Sequence, residues 1–216
     1  MHKRANITGA ILAGGKSSRM GRDKALLDLD GAPFIEHITN TLKTVFERVI
    51  IISDHAKQYE FLKLPIYKDR YKDCGPLAGI QTALTEADSN AVFISSCDIP
   101  FLSPTFIHYV IARERHNDVT LVLGGNSLEP LCGLYKKSCL PVIEKQLQQG
   151  RYSVRACLKK LHTRILSQPL DTQHNHVHPL MNINIPRDYE QCMSIALEQR
   201  RTKPIPYRKK QEESTT

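Results

Sequence analysis

The chain has 216 residues, 41% hydrophobic and 24% charged, an ordinary globular composition with enough apolar material for one real core. Disorder of the whole chain is excluded, and a single domain over residues 1–200 with a short tail, 201–216, is expected. No apolar stretch approaches the roughly 20 residues that span a bilayer, and the opening MHKRANITG lacks the apolar run of a signal peptide, so the expected setting is cytoplasmic. The formal charge is +8, but Arg200, Arg201, Lys203, Arg208, Lys209 and Lys210 face only Glu212 and Glu213 at the end of the chain. The body is therefore only mildly basic, which suits an anionic small molecule as well as nucleic acid. Cys74, Cys97, Cys132, Cys139, Cys157 and Cys192 form no CxxC pair, which argues against structural zinc and a disulfide framework.

In chain order, apolar β-branched runs at Ile7 to Leu12, Val49 to Ser53 and Val92 to Cys97 alternate with helical periodicity over Phe34 to Phe46 and Leu77 to Ala87. Continuous rather than alternating apolar strands indicate burial on both faces, so the expected fold is a doubly wound α/β domain with a mostly parallel sheet and helices on both faces. A short strand is expected at Pro65 to Lys68. Further helices are expected at Pro104 to Arg115, Ser138 to Gln148 and Ser153 to Leu161, with strands at Val119 to Leu123 and Leu131 to Tyr135. Pro186 opens a last helix to about Arg200, since proline is tolerated in a first turn. Ligands of such sheets lie outside the carboxyl ends of the strands, which directs attention to residues 13–24, 53–55, 69–79, 97–100 and 181–185.

After the first strand the sequence runs Ala13, Gly14, Gly15, Lys16, Ser17, Ser18, Arg19, Met20, Gly21, Arg22, Asp23, Lys24. Glycines let a backbone approach phosphate closely, and Lys16, Arg19, Arg22 and Lys24 supply compensating charge. A P-loop would need glycine where Ala10 stands, and no GxGxxG is present. Asp98 closes the strand Val92 to Cys97, where one carboxylate, phosphate oxygens and water could hold Mg²⁺; the alternative is that it caps the helix entered through Pro100 and Ser103. Gly75, Pro76 and Gly79 open the helix from Leu77, aiming free N–H groups at an anion. Asn182 and Asn184, two apart in an extended stretch, share one face. Asp69 could accept both hydrogen bonds that guanine N1–H and its amine offer, with Asp73 a rival that no spacing rule removes. His174, His176 and His178 could present three imidazoles to zinc, or merely form a polar loop. Cys97 has no Cys/His/Asn order behind it and reads as a small buried residue.

The string LAGGKSSRMGRDK resembles the LAGGxSxRMGxDK signature of bacterial molybdenum cofactor guanylyltransferases, which are nucleotidyltransferases of the nucleotide-diphospho-sugar-transferase-like type. The resemblance continues at Gly75 to Gly79 (GPLAG), at Cys97 to Pro100 (CDxP) and at Asn182 to Asn184 (NIN), covering about residues 7 to 200 in the family's order. It implies a Rossmann-like nucleotidyltransferase fold and transfer of GMP from GTP to molybdenum-bearing molybdopterin, with release of pyrophosphate. The implied catalytic residues are Arg19, Lys24 and Asp98, with Asp98 the Mg²⁺ ligand. The implied GTP contacts are Leu12, Ala13, Gly14, Gly15, Lys24, Ser53, Asp69, Gly75, Gly79 and Asp98; the implied pterin contacts are Asn182 and Asn184. Transient contacts with other molybdenum cofactor enzymes are implied too. Cytidylyl and sugar-1-phosphate nucleotidyltransferases are the nearest alternatives, and a non-enzymatic nucleic-acid binder using the basic tail is an alternative of another class. One departure stands out: the family's Thr-Pro-Glu-[Asp/Glu] is here Ile185, Pro186, Arg187, Asp188. Isoleucine cannot cap a helix as threonine does, which predicts a less firmly started last helix.

Overall fold

The strand β1 (Arg4–Leu12) lies at the centre of the sheet, paired in parallel with β4 (Phe46–Ile52) on one side and β6 (Ala91–Ser96) on the other. These relations come from a computed structural model that describes residues 4–14, 23–124, 127–167 and 180–202. Seven strands run in the order β5-β4-β1-β6-β8-β7-β9, with β5 (Ile66–Tyr67), β7 (Val119–Gly124), β8 (Ser127–Lys136) and β9 (Thr163–Leu166) completing the sheet. A two-stranded hairpin, β2 (Asp28–Leu29) and β3 (Ala32–Pro33), stands apart from it.

Two apolar layers explain the continuous hydrophobic strands. On one face, α1 (Phe34–Val45) and α3 (Pro104–Ala112) bring Ile35, Ile38, Leu42, Phe106 and Val110 against Ile11, Ile51 and Phe93. On the other, α2 (Pro76–Glu86), α4 (Leu140–Gln148) and α5 (Val154–Leu158) cover Ala10, Ile50 and Ile94. Alternate residues of the central strands β1, β4 and β6 thus enter opposite cores, and the middle of the sheet has no polar face. Chain reversal from β4 on one side of β1 to β6 on the other makes the carboxyl edge beside β1 a topological switch point, where α/β sheets bind ligands.

The expected fold is present, with local differences. β8 runs antiparallel to both β6 and β7; apolar periodicity reports burial and carries no direction. It is also longer than Leu131 to Tyr135, because Ser127 and Leu128 continue the pairing with Gly124 and Leu123 past Pro130. α3 stops at Ala112, α5 at Leu158, and Lys137–Cys139 forms a 3-10 turn ahead of α4 rather than its first residues. The edge strand β9, the β2–β3 hairpin and a 3-10 segment at Ala56–Leu62 are short and carry little apolar pattern.

The last helix, α6 (Pro186–Thr202), packs on the hairpin: Cys192 and Ala196 join Leu29, Phe34 and Ile183 in a third cluster, and the Tyr189 hydroxyl donates to Asp28 O at 2.7 Å. Its start is firmer than Ile185 alone predicts. Asp188, in the first turn, accepts from the backbone N–H of Asn184 (2.7 Å) and of Ile185 (3.0 Å), supplying the half of a capping box that works from inside the helix.

Candidate active site

The site is assembled where β1, β4, β5 and β6 end. Leu12 and Ala13 are buried, and Ala13 N–H donates to Ile52 O, so the chain leaves the sheet only at the exposed Gly14. Gly15 and Arg19, with Lys16 and Arg22, lie outside the described residues, as do His174, His176, His178 and the tail from residue 203.

The chain re-enters at Asp23. Its Oδ1 accepts from Ala25 N–H at 3.0 Å, capping a 3-10 turn over Lys24–Leu26. Lys24 is half-buried; its Nζ donates to Asn184 Oδ1 at 2.7 Å and lies 3.9 Å from Asp98 Oδ2. Asp98 Oδ1 accepts from the Ser96 hydroxyl at 2.5 Å, and Asp98 O accepts from Ile183 N–H at 3.0 Å. Three stretches far apart in sequence are thereby joined: the end of the glycine-rich loop, the end of β6 and the NIN segment. Within that segment Ile183 is buried, while Asn182 is half-buried and Asn184 exposed, the alternation that places both amides on the side away from the core.

Asp98 does not cap α3, because Ser103 Oγ accepts from Phe106 N–H there. Its carboxylate accepts from a neutral hydroxyl at one oxygen and lies 3.9 Å from the Lys24 ammonium at the other, which leaves acceptor capacity unused. A lone carboxylate can hold Mg²⁺ only with substrate oxygens and water completing its shell; among the described residues no group of three His, Cys, Asp or Glu side chains could hold a metal ion. Cys97, next to it, is half-buried against the core rather than fully buried as expected, and desolvation, then the charges of Asp98 and Asp23, push its thiol far up, which disfavours a thiolate.

At the other end of the edge, Asp69 follows β5. Its Oδ1 is buried without a hydrogen-bond partner, and its carboxyl is pushed up to about 6, first by burial and second by Asp54. A Cβ on Gly79 would come within 3.2 Å of Leu12 Cδ2 and 3.6 Å of Asp69 Oδ1, so glycine there lets α2 approach both. The rival Asp73 is exposed in the turn and carries no such buried oxygen. Gly75, at φ 68° and ψ −164°, occupies a region open essentially to glycine alone and turns the N-terminus of α2 to the edge. Ser53 is buried, its Oγ accepting from His55 N–H at 3.1 Å, which fixes the turn after β4. From β5 to β6 is three strand spacings, about 14 Å, which separates Asp69 from Lys24 and Asp98 along the edge.

Sequence reasoning missed three supporting residues. Ser96 carried a faint signal, two residues before Asp98 in the same strand end. Asp188 carried one as an acid in a first helical turn, and Tyr59, whose hydroxyl donates to Asp23 Oδ2 at 2.6 Å, carried none.

The chain is similar to known proteins over most of its length. Residues 9–165 match the MobA-like NTP transferase domain. A protein of Carboxydothermus hydrogenoformans named probable molybdenum cofactor guanylyltransferase is 38% identical over 88% of this chain and 96% of its own length. The molybdenum cofactor guanylyltransferase of Desulfosudis oleivorans is 37% identical over 75% of this chain and 81% of its own. The crystal structure of molybdopterin-guanine dinucleotide biosynthesis protein A from Archaeoglobus fulgidus, at 23% identity, superposes with a TM-score of 0.77 over 88% of this chain and 99% of that one, which shows the fold. With these sequence matches over most of its length, the chain belongs to the molybdenum cofactor guanylyltransferase family of MobA-like nucleotidyltransferases.

Proposed function

We propose that this protein transfers the GMP moiety of GTP to the terminal phosphate of molybdenum-bearing molybdopterin, forming the guanine dinucleotide of the cofactor. A pterin phosphate oxygen attacks the α-phosphorus, and the bond to the bridging oxygen of pyrophosphate breaks. The observation that carries the reading is the convergence of Lys24, Asp98 and Asn184 at the switch point, with a half-buried acid suited to guanine at the far end of the same edge. The nucleophile is already ionised at neutral pH, so the residues need only align two phosphates and neutralise charge.

Asp69 reads guanine, its half-buried carboxylate accepting from the base N1–H and amine. The α2 N-terminus, opened by Gly75, offers N–H groups to the nucleotide. Lys24 meets charge developing on the pyrophosphate, together with Arg19. Asn182 and Asn184 orient the pterin phosphate, and the Lys24–Asn184 hydrogen bond couples the two substrates. Asp98 would hold Mg²⁺, and the ion, when bound, supplies positive charge at the α-phosphate. A cytoplasmic setting fits a reaction that draws on GTP; among the described residues no helix is long and apolar enough to cross a membrane.

The test is turnover of GTP, CTP and UTP with molybdopterin loaded with molybdenum, following pyrophosphate and the dinucleotide. GTP alone should be consumed at a useful rate, and Lys24→Ala should lower that rate at least a hundredfold while the protein stays folded. Preference for CTP would instead favour a cytidylyltransferase.

A further inference from the structure

The Tyr59 ring is buried in the same core cluster as Ala25, Ile99 and Leu102, yet its hydroxyl is directed at Asp23, which caps the turn that carries Lys24. Asp23 uses both carboxylate oxygens: Oδ1 holds Ala25 N–H, and Oδ2 receives the Tyr59 hydroxyl at 2.6 Å. The first contact is local and caps a three-residue turn. The second reaches across 36 positions and ties that turn to the 3-10 segment after β4. The turn's internal hydrogen bonds are weak, Leu26 N–H to Asp23 O at 3.1 Å and Leu27 N–H to Lys24 O at 3.2 Å, and its other anchors, the buried Ala25 and the Phe34 N–H to Leu27 O bond, lie after Lys24, so Tyr59 is the tie on the Asp23 side.

We propose that Tyr59 is a positioning residue for nucleotidyl transfer, which acts through Asp23 to hold the Lys24 ammonium between Asn184 and Asp98. The inference rests on the reading of Lys24 as a catalytic charge. Burial and the Asp23 carboxylate push the phenol far up, so the hydroxyl remains a donor throughout the working pH range. A fixed ammonium matters more in the transition state than in the ground state, because a preorganised charge needs no rearrangement as charge moves, whereas a loosened lysine can still follow a bound triphosphate. Loss of the hydroxyl should thus lower kcat with little change in KM.

The experiment is a double-mutant cycle on the full chain with GTP and molybdenum-loaded molybdopterin. Tyr59→Phe keeps the ring and its packing; kcat should fall about five- to twentyfold, with the GTP KM within twofold of wild type. In the Lys24→Ala background the same substitution should change kcat by less than twofold, because the group through which it acts is gone. A wild-type kcat for Tyr59→Phe, or a full additional loss in the Lys24→Ala background, overturns the inference and reduces Tyr59 to a packing residue. If Lys24→Ala itself turns over normally, the reading of the site fails instead. Should Tyr59→Phe melt too low to assay, Asp23→Ser, which can still cap Ala25 N–H but is too short to reach the phenol, takes its place in the cycle with the same expected non-additivity, and additive losses count against the inference.

Discussion

Replacing Asp69 by asparagine should make the empty protein more stable and a worse guanine reader. The carboxylate is raised from 3.8 to about 6, burial being the larger cause and Asp54 the smaller, and one of its oxygens has no partner. At about 1.4 kcal/mol per tenfold change in proton affinity, the ionised group costs the folded state about 3 kcal/mol at most. Partial solvent access screens the charge, and asparagine leaves the buried oxygen unpartnered, so about 1 to 2 kcal/mol should be recovered. For a chain of this size that is a rise of roughly 3 to 6 °C in the unfolding midpoint. The pH dependence follows from the raised value. Below about pH 4 both folded and unfolded chains hold the proton, and wild type and variant should differ little. Between about 4 and 6 the unfolded chain releases a proton that the folded one keeps, so wild type loses stability relative to the variant as pH rises. Above about 6 the difference is complete.

Denaturant melts from pH 4 to 8 measure the stability half of this prediction. Binding measures the other half: asparagine presents one acceptor and one donor to a base edge with two donors, and GTP affinity should fall about 30- to 100-fold, the cost of an unpaired buried polar group. The variant should bind inosine triphosphate, which lacks the amine, at least as well as GTP. A pH-independent stability difference would refute the burial of a raised carboxyl at Asp69, and unchanged discrimination between GTP and inosine triphosphate would refute its assignment to base reading.

Four further outcomes are expected. Asp98→Asn keeps shape but loses charge; it should fold with a midpoint near wild type, show less than about 1% of wild-type turnover, and not be restored by millimolar Mg²⁺, as circular dichroism melts and pyrophosphate release would show. Gly79→Ala gains helix propensity but sets a Cβ 3.2 Å from Leu12 and 3.6 Å from Asp69; the GTP KM should rise about three- to tenfold with stability within about 1 kcal/mol of wild type. Asp188→Ala removes the acceptor of two backbone N–H groups; it should cost about 1 to 2 kcal/mol in urea unfolding, and also raise the KM for the pterin substrate, since the Asn184 backbone is one of the two donors released. Deleting residues 202–216, a charged segment interrupted by Pro204 and Pro206, should change melting temperature and kcat little.

What could be read from the sequence follows from what the residues themselves encode. Val49 to Ile52 and Val92 to Ile94 are apolar on successive positions, and only a strand between two helical layers needs that, so the layered sheet and its carboxyl edge were accessible in advance. Asp98 and Lys24 were accessible because a polar group at a strand end, or ending a glycine-rich loop, has nowhere to go but the edge. The direction of β8 was not, because an antiparallel strand buried on both faces has the same composition as a parallel one. Nor was the choice between Asp69 and Asp73: both precede GPLAG, and what separates them is the approach of Gly79 and Leu12 to one carboxylate, a product of packing. Tyr59 was hidden for a further reason, since a buried aromatic reads as core and only the tertiary fold shows where its hydroxyl ends.

The start of α6 shows how a local rule can be right about a residue and wrong about the structure. Ile185 indeed offers no capping oxygen, and by side-chain chemistry alone the segment that carries Asn182 and Asn184 would run loosely into its helix. A capping box has two halves, however, and the acid at the third helical position works from inside, drawing the N–H groups of Asn184 and Ile185 onto one carboxylate. Ile185 is then free of any capping duty, while Ile183 anchors in the hairpin core and its N–H reaches Asp98 O. The backbone is fixed at three consecutive positions, Ile183 and Asn184 of the NIN segment and Ile185 after it, by partners that lie one at the end of β6 and one inside α6. Holding the backbone this way leaves the Asn184 side chain to meet Lys24, which is what a site joining two substrates requires of it.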